Sequence, residues 1–485
     1  MPPTPKPNTP ATSGPATSGA KTSGAKTSGA LSWGDHFLQN LRLAAPLMIG
    51  QLATIGIWTS DTIAMGQIDS ASLAAGALAS RYYQPLFFLA LGISLAVGPL
   101  VAQGLGAGDE RQVRRAFRQG MVVAVVLGLI SVPMLFVGEH VLVALGQDPE
   151  LARLGQPFLI WSSIGLPFMF LSFVLRQFLI SHQRPMPQMV ALILALAANV
   201  ALNEAFVAGW GPLPEMGLAG IALATSIIYI LLCAGLIAYI ALVPPFRESR
   251  PFLRIWVMDW RVTVRLLRIG VPIGLTIVAE AGMFIAVTFI IGLFGTAALA
   301  AAAIANQIAA VAFMIPIAVA QASTIRVGNY AGAGDRLNLA RSASATLWLG
   351  IIVTLATTVI LLIWSRQLIG IFLDSEDAMF ADVLALALPM LVLTALFQVP
   401  DGVQAVAMSV LRGLNDTRLP GIIAIGSFWI TGVAVGAVTG LTFEWGPSGV
   451  WGGLLVGLSV AALLLTYRMN RAIRRVRDGG DILVA

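Results

Sequence analysis

Four carboxylates stand inside long apolar stretches of the 485-residue chain: Asp61, Glu204, Glu280 and Asp401. A charged side chain at the centre of an apolar span costs about 2.5–3.5 kcal/mol on insertion scales, so each needs a reason. No lysine or arginine lies at comparable depth. Arg176, Arg326 and Arg412 sit within about a turn of the segment ends, where a long side chain can snorkel to the polar boundary. An acid without a basic partner holds a proton or attracts a cation. Asp61 falls in Trp58-Thr59-Ser60-Asp61-Thr62. Asn199 and Asn203, one helical turn apart in another segment, supply amide donors for it, and Thr225 adds a hydroxyl. Glu280 and Asp401 are both mid-span in the second half of the chain and are expected to share one site. Pro400, beside Asp401, removes a backbone donor and loosens its helix, freeing carbonyls for a cation. Gln307 and Asn306 are further polar candidates in that half, whereas Glu204 lies near a segment end and reads as a boundary acid. The single cysteine, Cys233, excludes a disulfide framework and a cysteine metal site. His36, His140 and His182 all lie near segment ends, which argues against a zinc cluster.

The elements that carry these groups follow from composition. Hydrophobic residues make up 57% of the chain and charged ones only 11%, with a mean hydropathy of +0.85. A typical soluble domain has roughly 25% charged residues. No aqueous core could hide this much apolar surface, so a soluble enzyme is excluded. About 20 apolar residues span a bilayer core as a helix. Runs broken by charge, Pro and Gly give twelve such segments: 41–65, 82–106, 119–143, 156–181, 187–210, 217–243, 266–294, 299–327, 343–365, 381–412, 419–441 and 448–468. The expected fold class is an all-α polytopic membrane protein. Residues 1–30 are an Ala/Thr/Ser/Gly repeat holding all three lysines, expected to be a disordered tail.

The net charge of +6 is placed by side. With the N-terminus inside, the tail, the even-numbered connections and the C-terminus hold 26 of the 29 basic residues, leaving Arg81, Arg153 and Arg366 outside. Both termini are therefore expected to be cytoplasmic. The chain also repeats at a constant offset of 226: Pro46 and Pro272, Leu73-Ala74-Ala75 and Leu299-Ala300-Ala301, GAGD at 106–109 and at 332–335, Arg115 and Arg341. Six helices per half make two parallel repeats, an N-lobe at 31–243 and a C-lobe at 266–468. A linker at 244–265 joins them, and a basic tail follows at 469–485. The GAGD loops are expected at equivalent corners of the two lobes, Asp109 and Asp335 each capping the helix that follows.

Pro46…Ser60-Asp61-Thr62, the two GAGD loops, Pro272…Glu280 and Asp401…Leu411-Arg412-Gly413 resemble the MATE family of multidrug and toxin extruders, in its NorM-like branch. The resemblance runs from about Leu41 to Arg468. It implies twelve helices in two lobes in a bacterial inner membrane. It also implies export of small organic cations against entering H+ or Na+, with no cofactor beyond the coupling ion and no nucleic-acid partner. The unit is expected to work as a monomer in the lipid bilayer. By position, Asp61, Asn199 and Asn203 match the family's N-lobe acid and its hydrogen-bonding pair, and Glu280 and Asp401 its C-lobe acids, where a Na+ site would fall. Where relatives often carry Tyr, this chain has Phe397, which offers no oxygen and tilts the expectation toward H+. A major-facilitator carrier and a lipid-linked oligosaccharide flippase of the related superfamily remain as alternatives. The mirrored GAGD fits the former poorly, and the acidic character of the deep charges fits the latter poorly. A membrane enzyme finds no His cluster, Ser/His/Asp set or P-loop to support it.

Overall fold

The computed structural model describes residues 31–210, 214–372 and 379–483. The 1–30 tail lies outside the described residues. Among those described there is no strand, and twelve helices are long and apolar enough to cross a membrane: α1 (Trp33–Ile68), α2 (Ser70–Gly106), α3 (Glu110–Phe136), α4 (Pro149–Ser181), α5 (Met186–Ala208), α6 (Leu218–Leu242), α7 (Trp260–Gly292), α8 (Thr296–Ala333), α9 (Arg336–Ile363), α10 (Phe380–Gly413), α11 (Arg418–Thr442) and α12 (Gly446–Arg477).

Most spans overrun their apolar cores, because helices continue past the hydrocarbon wherever side chains can cap them. Ser32 and Asp35 form a reciprocal capping box that starts α1 well before its apolar run. Asp69 caps α2, whose first turns of Ser and Ala up to Arg81 were too weakly apolar to read as a span. Asp259 starts α7 at Trp260, inside the stretch read as linker, and α12 continues through the basic tail to Arg477. Asp109 accepts from the Arg111 and Gln112 amides, and Asp335 from Asn338, so both GAGD aspartates cap the next helix. α11 widens into π-helical turns at Ser427–Val433 and Val438–Thr442. There Gly432, Gly436 and Gly440 lie against α12 so closely that a Cβ on Gly436 would touch the Val450 carbonyl.

The spans pack as two six-helix lobes related by the repeat. In the first, α4 contacts α2, α3 and α6, and α5 bridges α1 and α6. In the second, α10 is central, against α8, α9 and α12. The lobes meet through two equivalent pairs, α2 with α7 and α1 with α8, and through the last turns of α2 against α8. Every hydrogen bond between described residues of the two lobes lies on the arginine-rich face. Asn40 donates to Thr346 (2.8 Å), Gln103 to the Gly413 carbonyl (2.9 Å) and Arg341 to the Leu31 carbonyl (2.8 Å). The lobes are therefore sealed on the arginine-rich side.

Candidate functional site

The first carboxylate site is built by three helices of the N-lobe. The Asn199 and Asn203 side chains share one face of α5 because four residues make about one turn. Both are buried, and both aim at Asp61 on α1. Asn203 Nδ2 donates to Asp61 Oδ1 at 2.8 Å and Asn199 Nδ2 at 3.1 Å, while Thr225 Oγ1 on α6 donates to Oδ2 at 2.8 Å. Asn199 also donates to Thr225, and Asn203 to Ser60, so the cluster is closed by neutral groups. Ser60 was not singled out from the sequence, although it is adjacent to Asp61. The buried Asn203 Oδ1 has no protein partner and is free to accept a donor. Asp61 has no ion-pair partner among the described residues. Glu204 is exposed, as a boundary acid would be.

The second site is built by α7 and α10. Gln404 Nε2 donates to Glu280 Oε1 and to Asp401 Oδ1, both at 3.2 Å, bringing the two acids to one amide nitrogen. Asp401 and Gln404 are buried, and Glu280 is half-buried. Sequence reasoning missed Gln404. Its signal was present, for a residue three beyond Asp401 on a helix shares its face. Gln404 Oε1 is buried without a partner and can accept a hydrogen bond or coordinate a cation. Phe397 is fully buried with its ring toward Phe284, and places no oxygen beside the acids. Gln307 is not part of either cluster: it is exposed and bonds neither acid, because its position on α8 is rotated away from the buried face that carries Ile308. Asn306 is half-buried and likewise apart.

Arginines expected to snorkel behave otherwise. Arg326 is 2% exposed. It donates to the His36 carbonyl (2.9 Å), Asn40 Oδ1 (3.1 Å) and Tyr330 Oη (3.1 Å), with His36 Nδ1 at 2.9 Å. It crosses the lobe interface instead of reaching water, because α1 covers it. Arg412 turns back along α10, its Nη2 at 3.1 Å from Met408 Sδ, and makes no ion pair among the described residues. Arg176 is buried and donates to Gln188 Oε1 at 3.4 Å.

Two helical lobes, each holding a carboxylate within a hydrogen-bonded polar cluster and closed against one another on one face, define a polytopic membrane carrier. Residues 46–204 and 272–438 match the MatE family model, and the chain belongs to that family. It is a multi-pass membrane transporter and not an enzyme. It is 37% identical over 445 residues to the Rhizobium meliloti (strain 1021) protein named "Probable multidrug resistance protein NorM", covering 92% of this chain and 95% of that one. Among solved structures, the eukaryotic MATE transporter AtDTX14 superposes with a TM-score of 0.81 at 18% identity, over 92% of this chain and 99% of that one. The outward-facing conformation of a multidrug resistance MATE family transporter of the MOP superfamily superposes with a TM-score of 0.82 at 19% identity, over 93% and 99%.

Proposed function

We propose that the chain is a secondary antiporter that exports cationic or amphipathic drugs and toxins in exchange for inward H+. The observation that carries this reading is Asp61, held by Asn199, Asn203 and Thr225 with no cationic partner. Three neutral donors can satisfy an ionised carboxylate, and they must rearrange when it takes a proton, because the acid then becomes a donor itself. A bound proton and a cationic drug therefore compete for the same charge. At Glu280 and Asp401, the lack of an oxygen at Phe397 favours a proton over Na+.

The arginine-rich face is the cytoplasmic one on the positive-inside rule, which puts both termini inside a bacterial inner membrane. The seal on that face leaves the deep acids reached from the opposite side. Alternating access is a rocking of residues 41–243 against 266–468, tethered by 244–265, and a monomer holds both lobes and both acid sites. One charge moving down 100 mV supplies about 2.3 kcal/mol. At roughly 1.4 kcal/mol per tenfold, this sustains on the order of a fiftyfold gradient of a neutral substrate per ion, without ATP. The test is ethidium efflux from proteoliposomes with a pH gradient or a sodium gradient imposed separately. The expected result is efflux driven by the pH gradient at constant sodium. Efflux driven by sodium alone at fixed pH would reassign the coupling ion to Na+ at Glu280 and Asp401.

A further inference from the structure

A cavity with neither acid site in its lining opens on the arginine-rich face between the start of α7 and the α10–α11 turn. Its volume is about 730 Å3, and Arg261, Arg265, Arg268 and Arg418 line it. None of these four guanidinium groups has a hydrogen bond or ion pair among the described residues. The one carboxylate in the lining, Asp416, is already taken by Arg468 at 2.7 Å. The turn that enters α11 also lines the cavity. Thr417 stands at its N-cap without giving a side-chain hydrogen bond, so the amide dipoles of the first turn remain available to an anion. The lining is also apolar: Trp260 is 68% exposed, and Val264, one turn on, is exposed as well.

Membrane topology alone needs an excess of positive charge on this face, not its convergence on one hollow. The repeat makes the point. The positions 226 residues earlier, on the same side of the membrane, are Asp35, Gln39 and Arg42, where the C-lobe has Arg261, Arg265 and Arg268. The other two arginines are therefore an addition of the C-lobe. Four unpaired guanidiniums around a hollow with a tryptophan at its mouth match a phosphodiester whose tails remain in the bilayer.

We propose that this cavity binds the headgroup of an anionic phospholipid, with the phosphate among Arg261, Arg265, Arg268 and Arg418 and the acyl chains along Trp260 and Val264. Occupancy there bears on the lobe interface. Asn415, in the same lining, is bonded to Gln103 of the N-lobe through Gln103 Nε2 at 2.9 Å and Asn415 Nδ2 at 3.2 Å. A lipid that steadies the turn steadies the inter-lobe seal.

The full chain in detergent, titrated with phosphatidylglycerol or phosphatidylcholine and followed by native mass spectrometry, tests this directly. Phosphatidylglycerol should be retained and phosphatidylcholine released. R265Q/R268Q should weaken phosphatidylglycerol binding about 25-fold, at about fivefold per guanidinium, and R268Q alone about fivefold. R474Q/R475Q, which removes equal charge from the end of α12, should leave binding unchanged. Equal weakening in the two double variants would reduce the effect to a diffuse positive field and overturn the site. Equal retention of the two lipids would do the same. Displacement of phosphatidylglycerol by millimolar inorganic phosphate would make the ligand a soluble anion instead. If R265Q/R268Q fails to fold, the single variant R268Q decides the question.

Discussion

Gly106 at the end of α2 and Gly332 at the end of α8 each lie against the other lobe's backbone, so that a side chain on Gly106 would strike the Asn329 carbonyl and one on Gly332 the Gln103 carbonyl. The two GAGD loops, expected at equivalent corners of the two lobes, thus face one another across the interface and help to close it. Overpacking a fitted contact costs about 1–3 kcal/mol. The contact lies on the sealed face, so Gly332→Ala should bias the protein toward opening on the arginine-rich side by on the order of tenfold. Spin labels at Arg111 and Leu337, read by pulsed electron resonance, should show the longer distance gain population. An unchanged distance distribution would remove the glycine contact from the gate.

Asp61→Asn keeps the volume of the side chain and removes its charge. The three donors that now converge on the carboxylate would face an amide able to accept through only one atom. Ethidium efflux should fall to background while the amount of protein in the membrane stays near the parent level. Normal efflux from Asp61→Asn would take the N-lobe acid out of coupling.

In the C-lobe, Glu280→Gln and Asp401→Asn should each abolish coupled export with expression intact. Gln404→Leu is the finer test, because it leaves both acids but removes the amide that brings them together. Hydrogen bonds to charged groups are worth about 1.5–3 kcal/mol. The driving-ion concentration for half-maximal efflux in Gln404→Leu should therefore shift by at least about tenfold. No shift would mean that the amide is only packing.

What could be read from the sequence follows the physics of each feature. Spans, acids and the repeat are legible because apolar runs, isolated charges and matched Pro and Asp positions are properties of sequence spacing. The Asp61 cluster is legible for the same reason, since Asn199 and Asn203 fix a helical face without knowledge of its neighbours. Gln404 shares the face of Asp401 and was legible as its neighbour, but its bond to Glu280 needed the rotation of α10 relative to α7, and the exposure of Gln307 needed that of α8. The direction of Arg326 is set by whether another helix covers it, which no local pattern records. The first turns of α2 and the π-helical widening of α11 were lost because Ser, Ala and Gly carry little hydropathy signal.

Asp109 is exposed at the tip of its loop and holds only the Arg111 and Gln112 amides. Asp109→Ala should lower thermal stability by about 0.5–2 kcal/mol, the worth of an N-cap. Ethidium affinity of the surviving folded protein should not change. Loss of affinity in well-folded Asp109→Ala would place this corner in substrate recognition, and the rocking of rigid lobes would have to be redrawn.

Arg326 ties the lobes on the sealed face through His36 and Asn40, and these partners and Tyr330 on its own helix are neutral. A buried charge satisfied only by dipoles is tolerable while α1 covers it, and it gains hydration when α1 moves away. The tie thus holds the closed state firmly without making opening prohibitive. Arg326→Gln shortens the reach to His36 and deletes the charge, while Asn40 still donates to Thr346 across the same seam. The fold should therefore survive. The open population read from the Arg111–Leu337 spin-label distance should rise by roughly tenfold, the equivalent of about 1.4 kcal/mol lost from the sealed state. Arg326→Lys should recover only part of the closure, since one ammonium cannot span the fork of acceptors that the guanidinium fills. If Arg326→Gln seals as tightly as the parent, closure rests on the glycine contacts between α2 and α8, and Arg326 is a packed helix residue with no part in gating.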